Sequence, residues 1–278
     1  MQLYQTQSYD TTIASEQVLF KLWRSRQLPQ RLIDLDRLTC GARVTAWQVA
    51  KATLPNASPK QQIEYFLKKV LATEATELIN TCQVQAEIIM TGAIEEAATI
   101  AKILDDLQIP YVIGGSLASG IWGEMRYTQD IDLVADIQVI HISRLLQTLT
   151  PRFYISEEAI QEAIALGGSF NAIDNLTGWK IDIFVLTSDQ FQQSRFERRK
   201  AINFGDQGLN LNFSTPEDMV LQKLLWQSQW ELSPSQWRDI LGILKLQGEN
   251  LDFDYLRQWA EFLQVGDRLE QALAASGF

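Results

Sequence analysis

The chain has 278 residues, 46% of them apolar and 21% charged, which are ordinary values for a soluble globular protein of one large domain or two modest ones. It contains no apolar run of the roughly eighteen residues that a membrane-spanning helix needs, and Met1–Asp10 lacks the apolar stretch of a secretion signal, so a cytoplasmic protein is expected. The net charge of −10 is uneven: residues 1–90 carry +2 and residues 91–278 carry −12, which argues against tight, nonspecific binding of duplex DNA and hints at two modules.

After a polar start, the pattern turns helical from Ser15, with Val18, Leu19, Leu22 and Trp23 on one apolar face. Arg24, Arg26 and Arg31 cluster near its end, and a solvated helix face is the default reading of such a group. Pro29 interrupts, and a second helix is expected from Arg31 to about Leu54. Pro59 opens a third, to about Leu71. These make a helical module that ends between residues 73 and 92, with domains of 1–90, 91–213 and 214–278. Cys40 and Cys82 have no metal-type spacing and read as reduced thiols.

Ala93–Leu107 reads as a helix, and Pro110 leads into Tyr111–Val112–Ile113, a short buried strand stopped by Gly114–Gly115–Ser116. The glycines allow a tight turn and close approach of backbone to a ligand, and a helix starting near Ser116 offers free N–H groups to an anion. Thirteen residues after Ser116 comes Asp130–Ile131–Asp132–Leu133–Val134, where period-two alternation puts Asp130 and Asp132 on one face of a strand. Two adjacent carboxylates repel unless a cation sits between them, and hard oxygen ligands of this kind suit Mg²⁺. A phosphate cradle joined to a metal clamp is what transfer of a nucleotidyl group requires.

Val139–Leu149 reads as a helix that starts with His141, the only histidine, for which a capping or solvated role is expected. Phe153–Ile155 is a short strand and Ser156–Leu166 a helix. Ser169–Ile173 and Trp179–Leu186 form an antiparallel pair around Asn175–Gly178. In the second, alternation buries Trp179, Ile181, Ile183 and Val185 and sends Lys180, Asp182 and Phe184 to the opposite face. Asp182 in such a strand needs a partner, and a metal shared with Asp130 and Asp132 supplies one. Asp174, at the start of the turn, is the weaker candidate. Arg195, Arg198 and Arg199 most simply form a solvated helix end, and Leu209–Phe213 a last edge strand.

Thr215–Pro216–Glu217–Asp218 is a helix-start signature, and Lys223 lies on the helix it opens. Further helices begin near Ser233–Pro234, Asp252 and Asp267. Trp226, Trp230, Trp237 and Trp259 most simply pack as core or interface.

The pairing of Gly115–Ser116 with Asp130–Ile131–Asp132 resembles the catalytic signature of the polymerase-β-like nucleotidyltransferase superfamily. The segment S-T-P-E-D-M-V-L-Q-K with the later Q-W-R-D-I-L-G-I-L is similar to the helical motif of AbiEii-type and related minimal nucleotidyltransferases. The resemblance covers about residues 92–262. It implies an α/β (α+β) mixed sheet with flanking helices, a C-terminal helical bundle, and an N-terminal helical module outside the family pattern. It implies a transferase that moves a nucleoside monophosphate from a nucleoside triphosphate such as ATP to an acceptor hydroxyl, on an RNA end or a protein side chain, and releases pyrophosphate. Mg²⁺ would be held by Asp130, Asp132 and Asp182, with Asp182 also helping to deprotonate the acceptor. Gly114, Gly115 and Ser116 would hold the triphosphate, Lys223 would contact it, and Asp239 would pair with Lys223 or help the acceptor lose a proton. Two other classes stay open: a catalytically silent nucleotide-binding or regulatory module, and an interaction protein of a toxin–antitoxin pair. A ribonuclease or protease reading has no support, with one histidine and no Gly-x-Ser-x-Gly.

Overall fold

The structure, a computed structural model, describes residues 4–70, 91–204, 209–229 and 233–278. Cys82, Trp230 and residues 73–90, where the sequence puts the end of the helical module, lie outside them. No helix among the described residues is long and apolar enough to cross a membrane.

Seven strands form one mixed sheet in the order β3-β4-β5-β2-β1-β7-β6. They are β1 (Tyr111–Ile113), β2 (Asp130–Ala135), β3 (Phe153–Tyr154), β4 (Ser169–Asp174), β5 (Lys180–Val185), β6 (Lys200–Phe204) and β7 (Leu209–Phe213). β2 runs antiparallel to β1 and parallel to β5, in a register that sets Asp130 beside Lys180 and Asp132 beside Asp182. The helices are α1 (Ile13–Arg24), α2 (Leu28–Thr53), α3 (Pro59–Val70), α4 (Ala93–Asp106), α5 (Gly115–Trp122), α6 (Ile142–Leu149), α7 (Glu157–Leu166), α8 (Gln190–Glu197), α9 (Pro216–Gln229), α10 (Pro234–Gln247), α11 (Phe253–Phe262) and α12 (Gly266–Ser276).

Strand alternation divides the sheet into two unlike faces. Ile131, Leu133, Trp179, Ile181 and Ile183 point into the main core, against Ile94, Ile100 and Leu104 of α4 and Leu35 of α2. The opposite face carries only a small apolar cluster, Val112, Val134 and Phe196 with Phe184 packed against it. Period two puts Asp130, Asp132 and Asp182 on this second face, beneath α8.

Several elements differ from the sequence reading for identifiable reasons. Pro29 does not interrupt α2 but sits in its first turn, where a missing N–H costs nothing. α1 buries Glu16 and Phe20, while Val18 and Leu22 are exposed. Its docking is decided by Glu16, which accepts from Lys245 at 2.5 Å, Tyr4 at 3.0 Å and the Gln7 amide at 2.7 Å, and not by the apolar stripe. Arg31 is buried and donates to the carbonyls of Ile121 (2.6 Å), Gly120 (3.0 Å) and Gly123, and Arg24 donates to Leu246 O (3.0 Å). Both arginines satisfy helix-end carbonyls, and Arg31 is withdrawn from water while Arg24 stays exposed. β7 is an interior strand, parallel to β1 and antiparallel to β6, whose short K-A-I-N-F run is masked by the arginines before it. His141 Nδ1 accepts the Gln138 amide at 3.1 Å, a capping role.

Candidate active site

The site forms where β1 and β2 end beside each other. Gly114 N donates to Asp132 O at 2.9 Å, and the chain turns at Gly115 with φ +55° into α5. A Cβ on Gly115 would stand 1.8 Å from Asp132 Oδ2, so only glycine lets the turn lie against this carboxylate. The turn and the aspartate are one unit, although the chain separates them.

Asp130 and Asp132 project from β2, and Asp182 stands in register with Asp132 on β5. Burial and then the charges of Asp130 and Asp182 push the Asp132 carboxyl up to about 7, against the pull of Lys223 and Lys180. Asp182 is raised as well, by burial first, and Lys180 opposes the shift. Lys180 Nζ donates to the Asp182 carboxylate and stands 2.7 Å from it. Thr128 Oγ1 lies 3.3 Å from the Asp130 carboxylate. Among the described residues no three His, Cys, Asp or Glu side chains converge tightly enough to hold a metal ion as they stand. The donor set itself fits a hard divalent cation: oxygen ligands on one face, with more negative charge than the two lysines offset.

A second group sits at the start of α5. Ser116 Oγ accepts from Arg126 Nη2 at 2.6 Å, and Arg126 makes a fork with Asp239 at 2.8 and 2.9 Å. Lys223 Nζ is 2.9 Å from Asp239, and both side chains are only 2% exposed. Burial alone would raise the Asp239 carboxyl, but the Arg126 hydrogen bonds and the Lys223 charge outweigh it and hold the group below its usual range. Lys223 is also within electrostatic reach of Asp132. Thus Ser116, Lys223 and Asp239, far apart in sequence, meet through Arg126, which sequence reasoning left out. Arg126 sits in an irregular segment four residues before Asp130 with no pattern to mark its partner.

The Pro216–Glu217–Asp218 segment is largely architectural. Thr215 Oγ1 accepts the Asp218 amide at 3.3 Å as the helix cap. Glu217 accepts the Asp252 amide at 3.2 Å, and Asp218 accepts the Tyr255 hydroxyl at 2.7 Å, which ties α9 to α11. Asp174 accepts the amides of Leu176 at 2.6 Å and Thr177 at 3.0 Å, so it shapes the β4–β5 turn and stands apart from the other carboxylates.

A cavity of about 130 Å³ opens next to Asp132, lined by Gly114, Gly115, Arg195, Gln222 and Trp226. That is room for several waters. Arg195 is 5% exposed, against the solvated helix end expected from sequence. Arg198 does not face open water either: its guanidinium stacks 3.7 Å from the Tyr255 ring centre. Trp226, read from sequence as core or interface, lines the cavity.

No protein-family model matches the chain, and no curated protein matches it by sequence. Solved structures to which the chain is similar include the three that follow. An antigenic nucleotidyltransferase-like protein from Paracoccidioides brasiliensis shares 19% identity over 69% of this chain and 94% of its own, with a TM-score of 0.41. The lincomycin-bound lincosamide antibiotic adenylyltransferase LnuA shares 15% over 59% of this chain and 98% of its own, at 0.38. The antibiotic-resistance factor ANT(2'')-Ia shares 16% over 64% of this chain and 94% of its own, at 0.37.

Proposed function

We propose that the protein is a Mg²⁺-dependent nucleotidyltransferase that moves a nucleoside monophosphate from a nucleoside triphosphate to an acceptor hydroxyl. The observation that carries this reading is the contact of the Gly114–Gly115 turn with Asp132, whose strand is in register with Asp182. It brings a backbone turn suited to phosphate against carboxylates suited to a divalent cation.

In this reading Asp130, Asp132 and Asp182 hold Mg²⁺, which when bound neutralises charge on the triphosphate. Gly114, Gly115 and Ser116 bind the phosphates. The acceptor oxygen forms a bond to the α-phosphorus as the bond from that phosphorus to the bridging oxygen breaks. Pyrophosphate leaves with the electron pair, and the acceptor proton passes to the Asp182 carboxylate. Lys223, oriented by Asp239 and Arg126, adds positive charge near Asp132. Residues 91–213 supply the carboxylates and the turn, residues 214–278 supply Lys223 and Asp239, and α1 and α2 brace the core. The paired Lys223 and Asp239 support a place in the AbiEii-type or minimal branch, and with it an RNA end or a protein side chain as acceptor.

The test is transfer of label from each of four α-labelled nucleoside triphosphates, with Mg²⁺ and with total RNA or cell lysate as acceptor. Label should enter RNA or protein and be lost in Asp130→Ala/Asp132→Ala. Mg²⁺-dependent nucleotide binding with no transfer from any of them would replace the enzyme with a silent nucleotide-binding module.

A further inference from the structure

Arg195 is a buried cation without a carboxylate to neutralise it. Among the described residues no Asp or Glu lies within ion-pair distance of it. The carboxylate that acts on it most strongly, Asp218, is already engaged by Thr215 Oγ1 at 2.6 Å, Tyr255 OH at 2.7 Å and Arg198 at 3.7 Å. Two neutral amides fix the guanidinium without discharging it: Nη1 donates to Gln192 Oε1 at 3.1 Å and to Gln222 Oε1. Nε has no hydrogen-bond partner. Such a group costs several kcal/mol in desolvation unless an anion joins it.

Its position names where the anion belongs. Arg195 Nη2 stands 3.7 Å from the point a Gly114 Cβ would occupy, and Ser214 Oγ stands 4.0 Å from the same point. Ser214 Oγ is itself buried without a hydrogen-bond partner. Ser214 is held there by its amide, which donates to Ile113 O at 2.9 Å, and by its carbonyl, which accepts Trp122 Nε1 at 2.7 Å. Arg195 Nη2 and the unpartnered Ser214 Oγ, from different elements, thus converge on one bare glycine, and Arg195 and Gly114 both line the cavity.

We infer that Arg195 and Ser214, at Gly114, form a phosphoryl-binding site that takes the non-reacting phosphates of the triphosphate and holds the departing pyrophosphate. The identity of the ligand rests on the function proposed above. The cavity borders Asp132 but neither Asp130 nor Asp182, so a group within it lies to one side of the carboxylates and not between them. That side suits the phosphates that leave, while the reacting phosphorus stays at the aspartates. Arg195 binds these phosphates through charge-assisted hydrogen bonds, and Gln192 and Gln222 position it.

The site is tested by isothermal titration of inorganic tripolyphosphate into the full chain in magnesium buffer. Binding to the unaltered protein should weaken about tenfold or more in Arg195→Met and about threefold in Ser214→Ala, with Arg195→Lys between. Arg195→Met should melt no lower than the unaltered protein when unliganded, because it removes an uncompensated buried charge. Should Arg195→Met fail to fold, Arg195→Lys and Ser214→Ala decide. No measurable binding to the unaltered protein, or variants that bind within twofold of it, would overturn the site. Tripolyphosphate bound through Arg195 with no nucleotidyl transfer would leave the anion site standing and remove the transferase. Transfer with unchanged binding in the variants would do the reverse.

Discussion

Two groups of buried charge meet the β4–β5 hairpin, one at Asp174 and one at Asp182, and they are built in opposite ways. Around the turn, Asp174 takes two backbone amides and Arg152, while Glu96 takes Thr177 Oγ1 at 3.2 Å and Arg152 at 3.4 Å. Arg43 closes that group, stacked 4.4 Å from the Trp179 ring centre and 5.2 Å from that of Phe66. Burial and Asp174 drive the Glu96 carboxyl toward the protonated form. Around Gly114–Gly115, Arg195 Nε and Ser214 Oγ lack partners, and Asp132 is crowded by the charges of Asp130 and Asp182. The first group spends its charge on internal pairs and fastens α4 to the hairpin. The second leaves a buried cation unanswered at the wall of a cavity that Asp132 also lines, the arrangement expected of a site that waits for ligands.

The sharpest way to break this contrast is to neutralise one member of each group. Asp132→Asn or Asp130→Asn should lower nucleotidyl transfer about 10³-fold, which is ~4 kcal/mol of barrier, and leave the melting temperature level or higher. A variant that keeps a tenth of the transfer rate would mean these carboxylates do not carry the chemistry. Asp174→Ala should do the opposite. It strips Arg152 and two amides of their acceptor and should cost about 3–5 kcal/mol in denaturant unfolding, with transfer per folded molecule unchanged. A cost under ~1 kcal/mol would remove the distinction.

Lys223→Met tests the border between the groups, because Lys223 is paired and yet acts on Asp132. Arg126 stays on Asp239 through its fork, so the carboxylate is not abandoned. The expected result is a KM for the nucleotide raised about tenfold, or ~1.4 kcal/mol, with a melting shift of a few degrees at most. Unchanged KM with a large loss of stability would make the pair purely structural.

The contrast also marks what a sequence can disclose. Asp130, Asp132 and Asp182 were legible as one face because strand alternation is a local rule, and the apolar neighbours Ile131, Ile181 and Ile183 declare it. The glycine turn was legible for the same reason. Arg195, Ser214 and Arg126 were not. Each owes its role to where another element ends, and an arginine in a helix reads the same whether it meets water or a cavity. Arg31 and α1 went astray likewise: helix-end carbonyls and the Glu16–Lys245 pair decided their burial, and neither partner is near in sequence. β7 was read as an edge because β6, which covers it, carries too little alternation beside its arginines.

The smallest expected effect lies in the closed group and concerns pH. Burial, then the charge and hydrogen bond of Asp174, raise the Glu96 carboxyl well above its ordinary 4.5, against the pull of Arg152 and Thr177. Arg43 faces the same group from α2. The folded protein therefore holds a proton on Glu96 that the unfolded chain gives up near its ordinary value. The stability this proton contributes is complete below about pH 4.5 and is lost as pH rises toward the folded value, at no more than ~1.4 kcal/mol per pH unit. Glu96→Gln keeps the shape and cannot ionise, so its stability relative to the unaltered protein should improve between pH 5 and pH 8 by about 1–2 kcal/mol in urea unfolding. If the difference between the two proteins stays constant over that range, Glu96 is ionised in the folded state, and the group around Asp174 is not the closed one described above.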